Sequence, residues 1–435
     1  MPIPRIDQAP SPACGGGLGW GCVARPLDSV AGSPPSQPSP ASGGRSRSVA
    51  LCLFLLCLFS GFAAAASRVG VMTMQPGEIF FERFGHDAIV IDDPARGEAI
   101  SYNFGFFDPS EADFLTRFIR GRMRYQLVAL PLQQDLATYR DEGRGVSIQW
   151  LDLTPQQADA LADALAVNAL PEHAHYGYDY FTDNCATRVR DAIDRALDGA
   201  LQRQLSARSR GNSYRSEAVR LASPAPWMWL GFDIGLGPFA DTPLSRWQEA
   251  FVPMRLADSL REATLADGRP LVVSEQTLLP HRIAAEPVEY ARPWWPWLLW
   301  GIAIGIALLR LGQRRRRALA AVALPWWTLC GLLGALMLFI WFGTAHRAGW
   351  ANQSLLLFNP LCLLLLPGAW CIARGRGAGR WFGRWLAIIA IGAVAAWFMR
   401  WLPFPWQDNT RWIALLLPIQ LALFAALRKP AAGTR

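Results

Sequence analysis

Hydrophobic and polar positions change rhythm three times along this chain. In residues 1–48 Pro, Gly and Ser dominate, and the scattered apolar residues are too few to build a core, so this stretch is expected to be disordered. Arg45-Ser-Arg-Ser48 then precedes an apolar run, Val49–Phe62, which gives way to Ala63-Ala-Ala-Ala-Ser67. From Arg68 to about Tyr290, short alternating segments interleave with segments of three- and four-residue spacing. Beyond Tyr290 the pattern becomes a series of long apolar runs separated by arginines.

The middle segment has the rhythm of a mixed α+β domain. Glu78–Arg83 and His86–Ile91 have the character of short strands meeting at Gly85, with further strands at Glu98–Phe104, Met123–Leu130 and Val146–Leu153. Asp108-Pro-Ser-Glu111 has the capping-box arrangement with Pro at the first helical position, and the helix it opens is expected to stop at Gly121. Thr154-Pro-Gln-Gln157 opens another helix by the same logic. Ala186, Val189, Ile193 and Leu197 recur at helical spacing, so a helix begins close to Cys185 with Asp183 or Asn184 as its N-cap. Residues 205–290, rich in Pro, Gly and Trp, are expected to form a lid or a membrane-facing collar.

The last third has five apolar runs of bilayer-spanning length: Trp294–Leu311, Ala318–Phe342, Ser354–Ile372, Trp385–Leu402 and Ile413–Leu427. Arg310 with Arg314–Arg317, Arg374 with Arg376, Arg380 and Arg384, and Arg428-Lys429 fall at alternate ends of the runs. The positive-inside rule places those three clusters, and the C-terminus, in the cytoplasm. Residues 68–290 then face the exported side. The segment 49–67 agrees with this, because a basic start, a short apolar run and a small-residue site make a secretory signal. Four domains are therefore expected: an extension 1–48, a signal 49–67, an exported domain 68–290 and an all-α membrane domain 291–435 of five transmembrane helices. A multi-pass location in a membrane that bounds the cytoplasm follows from the same pattern.

Composition narrows the function. Of 435 residues 52% are hydrophobic and 17% charged, with 20 Trp, too apolar for a wholly soluble protein. The net charge of +8 comes with arginine runs beside apolar segments rather than with zinc-finger spacing or aromatic–basic interleaving, which argues against a nucleic-acid partner.

Cys185 is the sole cysteine between residues 68 and 290. A buried cysteine is commonly a small hydrophobe, but a solitary thiol at a helix start in an exported domain faces unpaired N–H groups that favour thiolate, and it fits a nucleophile. A base is then needed, and the exported domain offers His86, His173, His175 and His281. His86, at the start of a strand whose Ala88 and Val90 share its face, has the placement of a papain-type base. Asn103, Tyr102 or Asp183 would orient it, and Asn184 supports the helix start. His173 and His175 lack a third ligand, so no metal or other cofactor is expected. In the membrane part, His346, Asn352 and Asn359 occupy an outward segment on the same side as Cys185 and are candidate substrate contacts.

Phe81-Glu-Arg-Phe-Gly-His-Asp-Ala-Ile89, Tyr102-Asn-Phe-Gly-Phe-Phe-Asp108 and Tyr178-Asp-Tyr-Phe-Thr-Asp-Asn-Cys-Ala-Thr-Arg188 resemble the exported domain of the Lnb-type bacterial lipoprotein N-acyltransferases. His346-Arg-x-x-x-x-Asn352 followed by Leu355–Pro360 is similar to the membrane part of that family. The resemblance covers most of residues 70–430 and is weakest over 205–290. It implies a circularly permuted papain-like fold, similar also to the NlpC/P60 and lecithin retinol acyltransferase groups, with Cys185 and His86 as the catalytic pair. It further implies a phospholipid acyl donor and a lipoprotein acceptor. Because that fold hosts several reactions, a membrane-tethered cell-wall peptidase or amidase is the alternative activity, and a non-enzymatic envelope sensor or assembly factor a third.

Overall fold

The computed structural model describes residues 67–94 and 97–428; the N-terminal extension and nearly all of the signal segment lie outside them. The first part of the described chain is built from β1 (Arg68–Met74), β2 (His86–Asp93), β3 (Glu98–Phe106), α1 (Phe114–Arg120), β4 (Arg124–Pro131), α2 (Leu132–Glu142), β5 (Val146–Leu151), α3 (Pro155–Asn168), β6 (His175–Gly177), α4 (Cys185–Ala196), α5 (Ala200–Ser206), α6 (Tyr214–Ala222), α7 (Pro226–Gly235), α8 (Arg246–Glu249), α9 (Pro253–Glu262) and β7 (Val272–Leu279). The strands form one antiparallel sheet in the order β6-β4-β3-β2-β1-β5-β7.

Alternation along the strands divides the core between the two faces. Val69, Val71, Ile89, Ile91, Tyr102 and Phe104 face α3, α4 and α9, meeting Leu161, Val189, Ile193 and Leu256. Met72, Met74, Ala88, Val90 and Ile148 face the other way, toward Leu136 of α2. The first face carries the cysteine helix.

Two local expectations are corrected. Residues 78–83 form turns rather than a strand. β1 takes the place beside β2 along its whole length, from Arg68 opposite Asp92 to Met74 opposite His86. Asp108 does not open a helix, since its Oδ1 accepts from the Ser110 backbone N–H (2.8 Å) and hydroxyl (2.6 Å) in a local turn. The helix begins at Phe114 and does end at Gly121, whose φ of 68° suits glycine. The Thr154 capping box is as expected, with Gln157 at the third position and Pro155 at the first.

The remainder is helical and apolar: α10 (Trp295–Arg314), α11 (Arg316–Gly343), α12 (Leu366–Ala373), α13 (Phe382–Phe398) and α14 (Thr410–Leu427). Among the described residues four helices are long and apolar enough to cross a membrane, or five spans result if the bent pair 347–356 and 360–373 counts as one. The third run is therefore not the continuous helix its composition suggests. It breaks by 43° at Asn359-Pro360, where proline cannot continue the preceding turn and Asn359 Oδ1 caps the Leu361 N–H at 3.0 Å. Gly301 and Gly305 let α10 lie directly on the α14 backbone, since a Cβ at Gly301 would sit 2.6 Å from the Leu415 carbonyl.

Within the segment 205–290, residues 233–237 form a junction, the collar, that ties the sheet-bearing part to the helical part. Asp233 on α7 accepts from Arg411 Nη2 and Trp412 Nε1, both at 2.9 Å. Asn352 Nδ2 donates to the Ile234 carbonyl (2.7 Å), Gln407 Nε2 donates to that of Leu236 (3.1 Å), and the Gly237 N–H donates to Ala348 (2.6 Å). At a second point the Ala345 N–H donates to the Arg120 carbonyl at the end of α1 (2.8 Å).

Candidate active site

The start of α4 is fixed by Asn184. Its Oδ1 accepts from the Thr187 N–H (2.9 Å), Thr187 Oγ1 accepts from the Asn184 N–H (2.7 Å), and Asn184 Nδ2 donates to the carbonyls of Tyr180 and Phe251, both at 2.9 Å. One side chain thus caps the helix and ties it to two other segments. Cys185 is the first helical residue and is 7% exposed. The backbone N–H groups of Asp87, Ala186 and Cys185 itself favour its thiolate form. Gly105, at φ 93°, passes beside it, where a Cβ would come within 3.7 Å of the Cys185 Cβ.

His86 opens β2 next to Gly85, whose φ of 77° favours glycine and where an added Cβ would sit 2.9 Å from the Met74 carbonyl oxygen. The face that His86 shares with Ala88 and Val90 packs on α2, not on the cysteine helix. Its position at the strand end nonetheless lets it line the same cavity as Cys185. His86 Nε2 lies 3.1 Å from Asn103 Oδ1. Asn103 Nδ2 donates to Asp135 Oδ2 (2.9 Å) and Ser101 Oγ (2.8 Å), and Ser101 Oγ donates to the same Asp135 oxygen (2.5 Å). A carboxylate accepts only, so the amide nitrogen must face Asp135 and the amide oxygen must face the imidazole. Nε2 therefore carries the proton, and Nδ1 is left with the lone pair a base requires.

Electrostatics set the resting state. Burial first, and the Arg144 guanidinium second, push His86 down to about 4 against the opposing Asp135 charge and Asn103 hydrogen bond, so the ring is neutral at neutral pH. Burial first, and the Asp87 charge second, push the Cys185 thiol up to about 12. The helix-start N–H groups pull toward thiolate as the sequence suggested, but burial outweighs them. At rest the cavity holds a neutral thiol and a neutral imidazole. Asp87, fully buried, with Oδ1 accepting from Thr73 Oγ1 (2.8 Å) and Oδ2 unpartnered, is itself pushed up to about 7 by burial.

The cavity holding Cys185 and His86 has a volume of about 140 Å³ and walls that are almost entirely aromatic and aliphatic, including Phe80, Phe84, Phe107, Tyr178 and Phe232. Phe81, Phe107, Tyr125 and Tyr178 form a continuous series of ring contacts at centroid distances of 4.9, 4.7 and 4.3 Å. Such a surface accepts hydrocarbon and offers a peptide backbone few partners.

The other sequence candidates are placed as follows. Tyr102 lies on the opposite face of β3 from Asn103, in the core beneath α4. Asp183 is held by Arg188 in a two-pronged ion pair at 2.5 and 2.7 Å. His346 Nε2 lies 3.1 Å from the Phe118 carbonyl, Asn352 bridges Ile234, Ser354 and Gln407, and Asn359 caps the turn described above. His346 and Asn352 join distant segments, Asn359 acts locally, and none of the three lines the Cys185 cavity. His281 accepts from the Gly145 N–H (2.9 Å), and His175 pairs with Gln126 in the sheet. Asp135, Ser101, Asp87 and Arg144 were missed by sequence reasoning. Asp135 acts on the site from 32 residues away on a largely polar helix, which no local spacing shows.

Two family models match the chain: the Lnb N-terminal periplasmic domain over residues 61–221 and the Lnb transmembrane domain over residues 288–426. Residues 222–287, which include the collar, lie between the matches. No curated protein and no solved structure matches the chain.

Proposed function

The chain belongs to the Lnb family, and from that premise we propose that it moves a fatty acyl chain from a phospholipid, through a thioester on Cys185, to the N-terminal amine of a diacylglyceryl lipoprotein. The observation that carries this reading is the composition of the cavity: a thiol and a neutral, oriented imidazole open onto aromatic walls, in a domain tied to a membrane-spanning one.

In the first half-reaction His86 Nδ1 takes the thiol proton as Cys185 Sγ attacks the ester carbonyl. Backbone N–H groups at the start of α4 stabilise the oxyanion. As the C–O bond breaks, imidazolium returns the proton to the departing lyso-lipid alkoxide, leaving the thioester. In the second half the lipoprotein α-amine attacks the thioester, His86 takes a proton from the amine, and the C–S bond breaks to give the amide and a thiolate that recovers the proton. Neither half needs an ionised resting thiol. A cavity that raises the thiol to about 12 makes proton transfer to His86 part of the attack rather than a step before it. Both donor and acceptor are anchored in the bilayer, which accounts for a catalytic domain fused to several spans.

The test is mass spectrometry of purified wild type and Cys185→Ala in detergent with phospholipid and a diacylated lipopeptide. An acyl mass gained on the peptide amine with wild type alone is expected; no gain from any phospholipid by folded wild type refutes the reading.

A further inference from the structure

The cavity wall continues outward into an exposed apolar surface. On α1, Phe114 and Phe118 turn inward, with Phe114 stacked 5.4 Å from Phe107 and Phe118 set edge-on to Phe81 at 6.0 Å. The same helix presents Leu115 and Ile119, one turn apart, to the outside with 65% and 46% of their surface exposed. The adjoining turn exposes Ile79 and Phe81, and α7 exposes Trp227, whose ring stacks on Phe80 of the cavity wall at 6.2 Å. A short helix with apolar residues on both sides cannot bury both within its own domain. Single exposed hydrophobes need no explanation, but a cluster of this kind next to an apolar cavity marks a docking surface.

The occupant follows from what the surface adjoins. The C-terminal end of α1 is hydrogen bonded to the segment after α11, through Ala345 to Arg120 and His346 to Phe118. On the far side, α7 lies between the cavity and the spans: Phe232 lines the cavity, while Trp229 packs on Trp297 of α10 at 6.3 Å. The apolar surface is thus continuous with the end of the membrane domain. Exposed Arg120, Arg122 and Arg124 sit beside it, where guanidinium groups would meet lipid phosphates.

We propose that α1 and the turn at 78–84 form a threshold set into the bilayer on the exported domain's side, over which one hydrocarbon chain of a membrane lipid passes into the Cys185 cavity. The seating of this surface in lipid stands on its geometry; the fate of the chain as the transferred acyl group rests on the function proposed above.

Two measurements on the full chain in lipid nanodiscs of phosphatidylethanolamine and phosphatidylglycerol separate these statements. A photo-crosslinking benzophenone amino acid is placed at Leu115, with a control at Val167, an exposed aliphatic position on α3 (54% against 65% for Leu115). Phospholipid adducts at 115 are expected to exceed those at 167 by about tenfold, the contrast between an interfacial apolar face and a solvated one; equal yields overturn the threshold. In Leu115→Asp/Ile119→Asp, the rate of Cys185 acylation from bilayer phospholipid, divided by that from water-soluble p-nitrophenyl butyrate, is expected to fall about tenfold as charge is forced into the interface. An unchanged ratio overturns the chain route. Wild type that acylates Cys185 from neither donor refutes the transfer reading, and the crosslink alone then decides the surface.

Discussion

Asn103 decides which nitrogen of His86 is free. Its Oδ1 lies 3.1 Å from Nε2 because its Nδ2 is held 2.9 Å from Asp135 Oδ2. The Asp135–Asn103–His86 chain runs through the face of the sheet away from the cysteine helix, so the base is oriented from behind while the cavity side stays apolar.

Asp135→Asn should therefore weaken catalysis without touching substrate. An amide at 135 can donate as well as accept, so Asn103 is free to turn, and part of the population then presents Nδ2 to the ring and selects the wrong tautomer. A loss of roughly ten- to a hundredfold in kcat is expected, with KM little changed, since general-base catalysis as a whole contributes about 10²–10⁴-fold. Asn103→Ala should lose as much or more. Imidazole ¹⁵N shifts check the cause: wild type should show His86 protonated at Nε2, and the variant a mixture. A variant with the wild-type shifts and lowered kcat would mean that Asp135 acts otherwise.

The buried thiol makes a kinetic prediction. With Cys185 pushed up to about 12, alkylation by iodoacetamide should climb steadily between about pH 7 and about pH 10, with no plateau at neutral pH. An ion pair formed at rest would instead give a plateau. Asp87→Asn removes the negative charge nearest the sulfur, favours thiolate, and should raise alkylation at about pH 9 by roughly threefold.

His86 and Asp87 should also pull stability in opposite directions with pH. His86 is held at about 4 against an ordinary 6.5, so its contribution is complete above 6.5 and is lost as pH falls toward 4. Asp87 is raised to about 7 against an ordinary 3.8, so its contribution is complete below 3.8 and is lost as pH rises through 7. Between these limits the two effects partly cancel. Asp87→Asn should unmask the histidine, giving a midpoint of thermal unfolding that drops more steeply from pH 7 to 4 than in wild type. His86→Asn should flatten the same limb. Parallel curves for all three proteins would show that neither group governs it.

How much of this was legible in the sequence depends on the range of the interaction. Asn184, Cys185 and Thr187 are neighbours, and the capping box that fixes the thiol was visible as a helix start. Asn103 was among the named partners of His86, but only the structure separates it from Tyr102, because adjacent residues of a strand face opposite ways. Glu78–Arg83 imitated a strand because Phe80 and Phe81 are apolar to line a cavity, not to alternate across a sheet. Composition located five apolar runs but not the bend of the third, although Asn359-Pro360 carried its cause. Asp135 and Asp87 depend on tertiary neighbours and left no local pattern, and over 205–290 composition suggested a lid or collar without showing the contacts that Asp233 makes.

The collar's central contact makes the last prediction. Asp233 is fully buried and accepts from both Arg411 and Trp412, and Arg411 is itself only 5% exposed. Asp233→Ala would strand a buried guanidinium and an indole N–H, a loss of about 3–5 kcal/mol for a broken buried pair. Replacing both partners by apolar groups, as in Asp233→Leu/Arg411→Met, should recover most of that stability, because neither charge is then left unpaired. Phe232 and Trp229, beside Asp233, face the cavity and α10 respectively. Loosening this contact should therefore reduce acyl transfer from bilayer lipid while Cys185 in the same protein still reacts with iodoacetamide. Limited proteolysis and thermal unfolding of the single and double variants provide the check: Asp233→Ala as stable as wild type, or the double variant as damaged as the single, would show that the pair does not hold the two parts together.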